Sequence, residues 1–276
     1  MSKVWFVTGS SRGFGRVWVE AALERGDRVA ATARNVETLA ALRESYGDRV
    51  LPIALDVTDK AAVDAAVRKA HDAFGRIDVV VNNAGYGLFG TIEEVSEREA
   101  REQMETNVFG ALWVTKAALP IVRTQRSGHF IQVSSIAGIL ANANLGLYHA
   151  SKWALEAFSQ SLAVEMRSFG VKVTIVEPGG FTTDWGTTSA AWAQPNPAYD
   201  EIRKAHAARR AVMRRGDPRA SAAAIMQLVD MDDPPLRVMF GVGLLEPVKK
   251  EYENRLALWE RYQDLAEESA GTVTVG

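Results

Sequence analysis

The chain has 276 residues, enough for one α/β domain with a full hydrophobic core. Its formal net charge of -2 provides no general basic field, so we expect a small-molecule partner, with no nucleic acid and no membrane. The lack of cysteine excludes disulfides and thiolate chemistry, and four histidines without a metal-site spacing predict no metal. No apolar run approaches the roughly 20 residues that span a bilayer, which favours a cytoplasmic protein.

Strand-like and helix-like patterns alternate along the chain. Apolar, β-branched runs predict strands at 4–8, 28–32, 50–55, 77–81, 129–133, 171–176 and 236–240. Amphipathic patterns predict helices at 14–24, 36–46, 60–74, 97–123, 148–169 and 218–229. Such alternation is typical of a parallel sheet with helices on both faces, so the sequence predicts one doubly wound, Rossmann-type α/β domain over residues 1–276 with seven strands. Ser96 with Glu99 predicts a capping box, and Gly170 predicts a helix C-cap.

A glycine-rich turn follows the first predicted strand and opens the first helix. Backbone N–H groups at such a helix N-terminus bind phosphate. Gly9 and Gly13 would let a pyrophosphate approach the backbone, and Gly15 would let the helix pack closely on the sheet. The pattern predicts dinucleotide binding, with an ordinary turn rich in small residues as the alternative. The predicted binding residues are Gly9, Ser11, Arg12, Gly13, Phe14 and Gly15.

The end of the second predicted strand bears on the type of dinucleotide. NAD sites usually have an acid at this point, but here the strand ends Thr32-Ala33-Arg34. Arg34 and Arg12 would instead bind the 2′-phosphate of NADP(H) through charge-assisted hydrogen bonds. The alternative is that both arginines are solvated surface residues.

Two later strand ends carry polar residues at the same expected sheet edge. Asp56-Val57 follows the third strand, and Asn83-Ala84-Gly85 follows the fourth. Because ligands of open parallel sheets bind along this edge, both segments are candidates for cofactor binding. The alternative is that both residues are structural. Asp56 would then only cap the next helix, and Asn83 would only tie two strands together.

Ser135, Tyr148 and Lys152 form the predicted catalytic set. Tyr148 and Lys152 are four residues apart on a predicted helix, which puts both side chains on one face. In a reduction, Tyr148 would donate a proton to a carbonyl oxygen that Ser135 holds, while Lys152 would stabilise the phenolate and hold the nicotinamide ribose. An exposed helical Tyr–Lys pair is the structural alternative. His149 points about 100° away and is expected to be a bystander.

These residues together resemble the short-chain dehydrogenase/reductase family from about residue 3 to 240. Thr8 to Gly15 is similar to the family's TGxxxGxG, Asn82 to Gly85 to its NNAG, and Tyr148 to Lys152 to its YxxxK. Ser135 has the family's usual separation from Tyr148, so Ser134 is the less favoured serine. The resemblance implies that Asn107 completes a catalytic tetrad by binding a water that links Lys152 to solvent. It also implies that a loop with Pro178, Gly179 and Thr183 contacts the nicotinamide.

The function that follows is an NADP(H)-dependent carbonyl reductase acting on a ketone, an aldehyde or, in reverse, a secondary alcohol. An NAD-dependent alcohol dehydrogenase and a non-catalytic NADP-sensing regulatory protein are the alternatives. The resemblance further implies a homodimer or homotetramer assembled through the helices at 97–123 and 148–169.

Substrate choice is predicted to depend on a mobile lid over residues 184–216. Its aromatic residues indicate an apolar or aromatic substrate, or else anchor the lid to the domain. A basic run in the lid is expected to be a solvated helix face in preference to an anion site. A C-terminal amphipathic helix is predicted at 244–268, with Tyr252, Leu256, Trp259 and Tyr262 available for one buried face, which would cover either this domain or a neighbouring chain. The lid aromatics are Trp185, Trp192 and Tyr199, the basic run is Arg203, Lys204, Arg209, Arg210, Arg214 and Arg215, and further pocket residues are Tyr86, Leu88, Phe89, Ile136 and Leu140.

Overall fold

The computed structural model describes residues 2–271, which contain a seven-stranded parallel sheet and a separate two-stranded one. The order in the large sheet is β3-β2-β1-β4-β6-β7-β9, and β5 pairs with β8. This order confirms the predicted doubly wound architecture with its seven strands. The strands are β1 (Val4–Val7), β2 (Arg28–Ala33), β3 (Val50–Ala54), β4 (Val79–Asn82), β5 (Leu88–Phe89), β6 (Gly128–Val133), β7 (Val171–Pro178), β8 (Ala191–Trp192) and β9 (Arg237–Phe240).

Within residues 2–242, helices connect the strands of the large sheet and cover both of its faces, and two further helices follow β9 in the chain. They are α1 (Gly13–Glu24), α2 (Ala40–Tyr46), α3 (Lys60–Phe74), α4 (Glu97–Met104), α5 (Ala111–Gln125), α6 (Gly146–Met166), α7 (Asp200–Ala211), α8 (Ser221–Asp230), α9 (Leu245–Arg261) and α10 (Gln263–Ala270). A 3-10 turn, Val36–Leu39, replaces the start of the helix predicted at 36–46. None of the helices described here is both long and apolar enough to cross a membrane.

The core consists of two apolar layers, one on each face of the sheet. Alternate residues of β1 enter different layers: Trp5 packs with residues of α1 and α8, and Phe6 packs with residues of α3, α5 and α6. Because both faces are buried, the strands read as nearly continuous apolar runs, which is why they are easy to find in the sequence. The sheet edge formed by the strand ends is left to carry polar residues.

The helix predicted at 97–123 is divided by a π-helical segment, Glu105–Gly110, between α4 and α5. At its end a Cβ atom on Gly110 would lie 2.6 Å from the Val57 side chain, so the segment packs closely on the loop after β3. Both predicted caps are confirmed. Ser96 and Glu99 form the capping box of α4, and Gly170 adopts a left-handed φ of 69° after α6.

The structure divides into two compact units, one up to Val242 and a second from Gly243, which contains the C-terminal segment. This segment forms two helices, α9 and α10, where a single helix was predicted, because the chain leaves helical geometry at Tyr262. Leu256 is 53% exposed and Trp259 is 63% exposed, so within the single chain this face does not cover its own domain.

Candidate active site

A large open cavity lies along the carboxyl edge of the sheet in the first unit, with a volume of about 1030 Å³. It brings together residues from six strand-to-helix connections, so distant parts of the sequence meet at one surface. Of the predicted site residues, Asn107 and Gly15 lie behind the cavity wall. The others line it: Gly9, Ser11, Arg12, Gly13, Phe14, Arg34, Asp56, Val57, Asn83, Ala84, Gly85, Ser135, Tyr148, Lys152, Pro178, Gly179 and Thr183.

The glycine turn has a geometry that fits the phosphates of a dinucleotide. Gly9 and Gly13 have positive φ values of 69° and 59°, and a Cβ atom on Gly15 would lie 2.3 Å from the Gly9 carbonyl oxygen. Helix α1 begins at Gly13, and no side chain caps its N-terminus. Its first N–H groups therefore remain available to an anion in the cavity.

Asn83 holds this turn in place. Its Nδ2 atom donates to the carbonyl oxygens of Thr8 and Gly9 at 3.0 Å each, and its backbone N–H donates to the Thr8 hydroxyl. These contacts join the residues after β4 to the residues after β1, as expected if Asn83 ties two strands together. Asp56, by contrast, does not cap the next helix, because its carboxylate accepts from Thr58 while Asp59 caps α3.

A second cavity of about 310 Å³ opens next to the glycine turn. Arg12 and Arg34 line both this cavity and the large one, and the second wall is completed by Ser11, Asn35 and Thr38. Among residues 2–271, no acidic side chain lines the small cavity. Two guanidinium groups with neutral hydroxyl and amide neighbours make this position suitable for a phosphate group.

Tyr148 and Lys152 are buried deep in the large cavity, on α6. Tyr148 is 4% exposed and Lys152 is 6% exposed, and the Lys152 Nζ lies 5.9 Å from the centre of the tyrosine ring. Lys152 Nζ also donates to the Val133 carbonyl oxygen at 2.8 Å, which fixes the ammonium beside the end of β6. The Ser135 hydroxyl donates to the Pro178 carbonyl oxygen at 3.3 Å and accepts from the Ala137 N–H at 3.1 Å.

Burial changes the proton affinity of both groups. It raises the pKa of Tyr148 to about 12, although a hydrogen bond with Ser135 acts in the opposite direction. Burial lowers the pKa of Lys152 to about 8, and the nearby carboxylate of Glu156 opposes this shift. Without a bound ligand, the phenol thus keeps its proton at neutral pH, and the lysine is close to losing its charge.

Asn107 lies in the π-helical segment, next to Lys152. A Cβ atom on Gly85 would lie 3.0 Å from Asn107 Oδ1 and 3.7 Å from Lys152 Nζ, so these two side chains meet at Gly85. The Asn107 amide accepts from the Tyr86 N–H, and it donates to the Tyr86 carbonyl oxygen and the Ser151 hydroxyl. These contacts position the loop after β4 against α6.

His149, the predicted bystander, has a structural role. Its Nδ1 lies 2.9 Å from the Ala137 carbonyl oxygen, and its Nε2 accepts from the Asn142 N–H at 3.1 Å. Burial lowers the pKa of His149, which favours the neutral ring that these two contacts require. The ring thereby joins the loop that follows Ser135 to the start of α6.

Sequence reasoning missed two buried carboxylates near Lys152, which share one partly exposed arginine. Arg237 Nε lies 3.1 Å from a Glu156 carboxylate oxygen and 3.6 Å from a Glu177 carboxylate oxygen. One guanidinium faces two carboxylates, and burial, followed by repulsion from Glu156, raises the pKa of Glu177 to about 7. The only sequence signal was an acid at the end of an otherwise apolar strand, directly before Pro178.

The lid segment 184–216 contains β8 and α7, and its aromatic residues serve both predicted purposes. Trp185 lines the cavity, with its ring centre 4.9 Å from that of Tyr148. Trp192 and Tyr199 act as anchors: Trp192 stacks on Phe89 at 4.3 Å, and Tyr199 donates to Glu93. The predicted pocket residues Tyr86, Phe89, Ile136 and Leu140 line the cavity, whereas Leu88 lies outside it.

The basic run of the lid also divides into two groups. Arg203 pairs with Glu94 and Asp200, and Lys204 pairs with Glu201, as expected for a charged surface. Arg209, Arg210 and Arg215 instead line the cavity. Arg209 and Arg215 are exposed, as expected for a solvated face, whereas Arg210 is half-buried against Phe89. Arg214 belongs to neither group.

Comparisons with known proteins identify the class to which this chain belongs. A family model described as short chain dehydrogenase matches residues 3–194, and the chain belongs to the short-chain dehydrogenase/reductase family of oxidoreductases. It is 40% identical over 279 residues to Oxidoreductase BOA17 of Botryotinia fuckeliana, covering 98% of this chain and 100% of that protein.

Two further relatives extend this comparison. A solved short-chain dehydrogenase from Streptomyces avermitilis is 39% identical, with a TM-score of 0.91 and coverage of 97% of this chain and 98% of that one. The NADPH-dependent 3-dehydrocapnine reductase of Ornithobacterium rhinotracheale is 35% identical over 217 residues, covering 72% of this chain and 77% of that protein. Members of this family use nicotinamide cofactors and act on small molecules.

Proposed function

We propose that this protein is an NADP(H)-dependent carbonyl reductase that converts a ketone or an aldehyde to the corresponding alcohol. The observation that carries the proposal is the convergence of Ser135, Tyr148 and Lys152 in the cavity that also contains the glycine turn. A phenol, a hydroxyl and an ammonium in one buried pocket provide a proton donor, an oxygen ligand and a positive charge. This set suits the polarisation and protonation of a carbonyl oxygen.

A bound nicotinamide would supply the hydride, and the side chains of the protein would complete the reaction. Ser135 would donate a hydrogen bond to the carbonyl oxygen and hold it beside Tyr148. Tyr148 would transfer its proton to that oxygen as the negative charge develops. The high pKa of Tyr148, about 12, keeps the proton on the phenol until it is needed. Trp185, against the tyrosine ring, would exclude water from the reacting atoms.

Lys152 would make the proton transfer possible. Burial disfavours the phenolate that forms when Tyr148 gives up its proton, and an ammonium 5.9 Å from the ring offsets this cost. The Val133 carbonyl holds the ammonium in that position. Asn107 would contribute by fixing the neighbouring loop and, as the family resemblance implies, by binding a water that returns a proton to Lys152.

Preference for NADP(H) is supported by the two arginines of the small cavity and by the missing acid at the end of β2. One relative is also named as NADPH-dependent. We expect Arg34→Ala to lower the NADPH-to-NADH ratio of kcat/KM by about tenfold or more, because a charge-assisted contact to the 2′-phosphate is lost. Arg68→Ala, at an exposed arginine of α3 outside both cavities, is the matched control.

The main test measures oxidation of NADPH and NADH across apolar, aromatic and carboxylated ketones. Turnover with NADPH that exceeds turnover with NADH supports the proposal. Equal use of both cofactors would contradict the NADP preference and favour an alcohol dehydrogenase that uses NAD. Tight NADPH binding without turnover of any carbonyl would favour a regulatory protein that senses NADP.

We also propose that the chain assembles as a homodimer or a homotetramer. Support comes from two exposed apolar side chains. Phe109, just before α5, is 38% exposed, and Val164, on α6, is 65% exposed. Light scattering should give a mass of two or four chains, and Val164→Glu should lower it. A wild-type monomer at micromolar concentration would contradict the proposal.

A further inference from the structure

Three arginines of the lid face the same cavity as Tyr148, and the polar protein groups that they contact are uncharged. Arg209 donates to the Asn142 side-chain oxygen. Arg210 donates to the Gly186 carbonyl oxygen at 3.1 Å, and its guanidinium lies 4.8 Å from the centre of the Phe89 ring. Arg215 donates to the Arg210 carbonyl oxygen at 3.4 Å.

Two other cations of the lid are neutralised by carboxylates, whereas these three are not. Arg203 and Lys204, on the same helix, both pair with carboxylates. Within residues 2–271, no ion pair joins Arg209, Arg210 or Arg215 to an acid. Asp184 is the one acid of the lid segment that lines the cavity, and it takes part in none of these ion pairs.

The cationic groups also act on one another. Burial and the charge of Arg215 lower the pKa of Arg210. Burial, Arg210 and Arg209 lower the pKa of His206, which lines the same wall and lies 5.8 Å from the Phe89 ring. Positive groups held together without acids repel each other, and a bound anion would offset this repulsion.

Aromatic contacts connect this cationic wall to the catalytic tyrosine. The Tyr148 ring lies 4.9 Å from the Trp185 ring, which lies 5.6 Å from the Phe89 ring beneath Arg210. A substrate that extends from Tyr148 to the arginines would therefore pass along apolar surface. This arrangement requires an apolar or aromatic body between the carbonyl and the group that meets the arginines.

We propose that the substrate of this cavity carries an oxyanion group, such as a carboxylate, a sulfonate or a phosphate, bound by Arg209, Arg210 and Arg215 while its carbonyl lies at Tyr148. This inference rests on the proposed reductase function and adds a substrate class to it. The anion fixes one end of the substrate, and the reacting carbonyl is positioned at the other.

The kinetic test compares aryl keto acids of increasing chain length with their methyl esters. The wild type should prefer the acid in kcat/KM by about tenfold or more for the length that spans the cavity. The double variant Arg209→Gln/Arg215→Gln should lose most of this preference, and Arg209→Lys/Arg215→Lys should retain much of it. Lys204→Gln, on the same helix but outside the cavity, is the matched control and should keep the wild-type ratio.

A binding test separates this inference from the proposed function. Calorimetry on the NADPH-loaded enzyme would compare 4-phenylbutanoate with 4-phenylbutanamide, neither of which can be reduced. Tighter binding of the acid, lost in the glutamine double variant, supports the anion site even if no ketone is turned over, in which case only the reductase proposal fails. Equal binding of acid and amide would overturn the inference. A double variant that loses NADPH affinity and not acid affinity would also overturn it, because the arginines would then belong to the cofactor site.

Discussion

The two ends of the large cavity differ in how their charged groups are held. At the sheet end, Tyr148 and Lys152 are almost completely buried; the Val133 carbonyl at the end of β6 fixes Lys152, and the Trp185 ring packs beside Tyr148. At the lid end, Arg209 and Arg215 are exposed and contact only uncharged protein atoms. Burial therefore controls the proton affinity of the first pair, whereas the positive charge of the second pair remains unneutralised.

We expect the sheet end of the cavity to carry out proton transfer and the lid end to select substrates by their charge. A proton donor needs a fixed position and a controlled pKa, and both follow from a rigid, desolvated environment. A group that selects an anion needs its charge to remain available, which requires that the protein leave it without a carboxylate partner. We therefore expect strong pH dependence from the sheet end and strong dependence on substrate charge from the lid end.

The largest expected effect comes from removal of the proton donor. Tyr148→Phe keeps the ring against Trp185 and removes only the hydroxyl, so kcat for ketone reduction should fall by about 10² to 10⁴-fold. NADPH affinity, measured by calorimetry, should change little because the glycine turn is untouched. Activity close to that of the wild type would show that Tyr148 is not the donor.

The charge of Lys152 should determine the alkaline limb of the pH profile. Its pKa is lowered to about 8, so the lysine loses its charge as the pH rises through that value. Reductive kcat/KM should be level near neutral pH and should fall by about tenfold per pH unit well above pH 8. The same measurement on Lys152→Met should give low activity without this alkaline decrease. If the variant keeps the wild-type pH profile, the decrease does not come from Lys152.

Glu177 should make folding stability depend on pH. Its pKa is raised from 4.5 to about 7, so the native state keeps a proton that the unfolded state has already released. The associated stability is complete below about pH 4.5 and is lost as the pH rises through 7.

Glu177→Gln should therefore raise the free energy of unfolding at pH 8 by about 1 to 3 kcal/mol, with little difference at pH 5. Urea unfolding at both values measures this, and Glu165→Gln, on the exposed side of α6, is the control. A difference that is the same at both pH values would rule out Glu177 as its source.

The smallest expected effect concerns the attachment of the lid. The Ala191 N–H donates to the Gly87 carbonyl oxygen at 2.9 Å, and proline lacks that N–H. Ala191→Pro should raise KM a few-fold, with a smaller change in kcat, because about 1 kcal/mol of lid attachment is lost. Ala191→Ser keeps the N–H and should behave like the wild type; an equal rise in KM for both variants would assign the effect to the side chain.

The features that the sequence predicted are those encoded over short distances along the chain. Gly9, Gly13 and Gly15 lie within a single turn, and Tyr148 and Lys152 lie four residues apart on one helix. Periodicity and known backbone requirements are sufficient to place such residues. The seven strands were equally accessible, because burial on both faces makes each of them an apolar run.

The features that the sequence did not predict depend on contacts between distant segments. Strands β5 and β8 have two residues each and are about a hundred positions apart, so neither shows a recognisable pattern. Likewise, Lys204 and Arg210 belong to one basic helix, but Lys204 pairs with Glu201 whereas Arg210 lies over the Phe89 ring, which is distant in the sequence. The pairing of Glu177 with Arg237 required the neighbouring strand β9.

The π-helical segment Glu105–Gly110 has a consequence for the evolution of this helix pair. A π-helical turn is a local widening of the kind that one inserted residue creates in an α-helix. Deletion of one residue there would restore a regular helix and close the widened turn that contains Asn107. Asn107 would then lose its register with Tyr86 and Ser151. Insertions and deletions should therefore be tolerated in the loops that flank this helix and rejected within it.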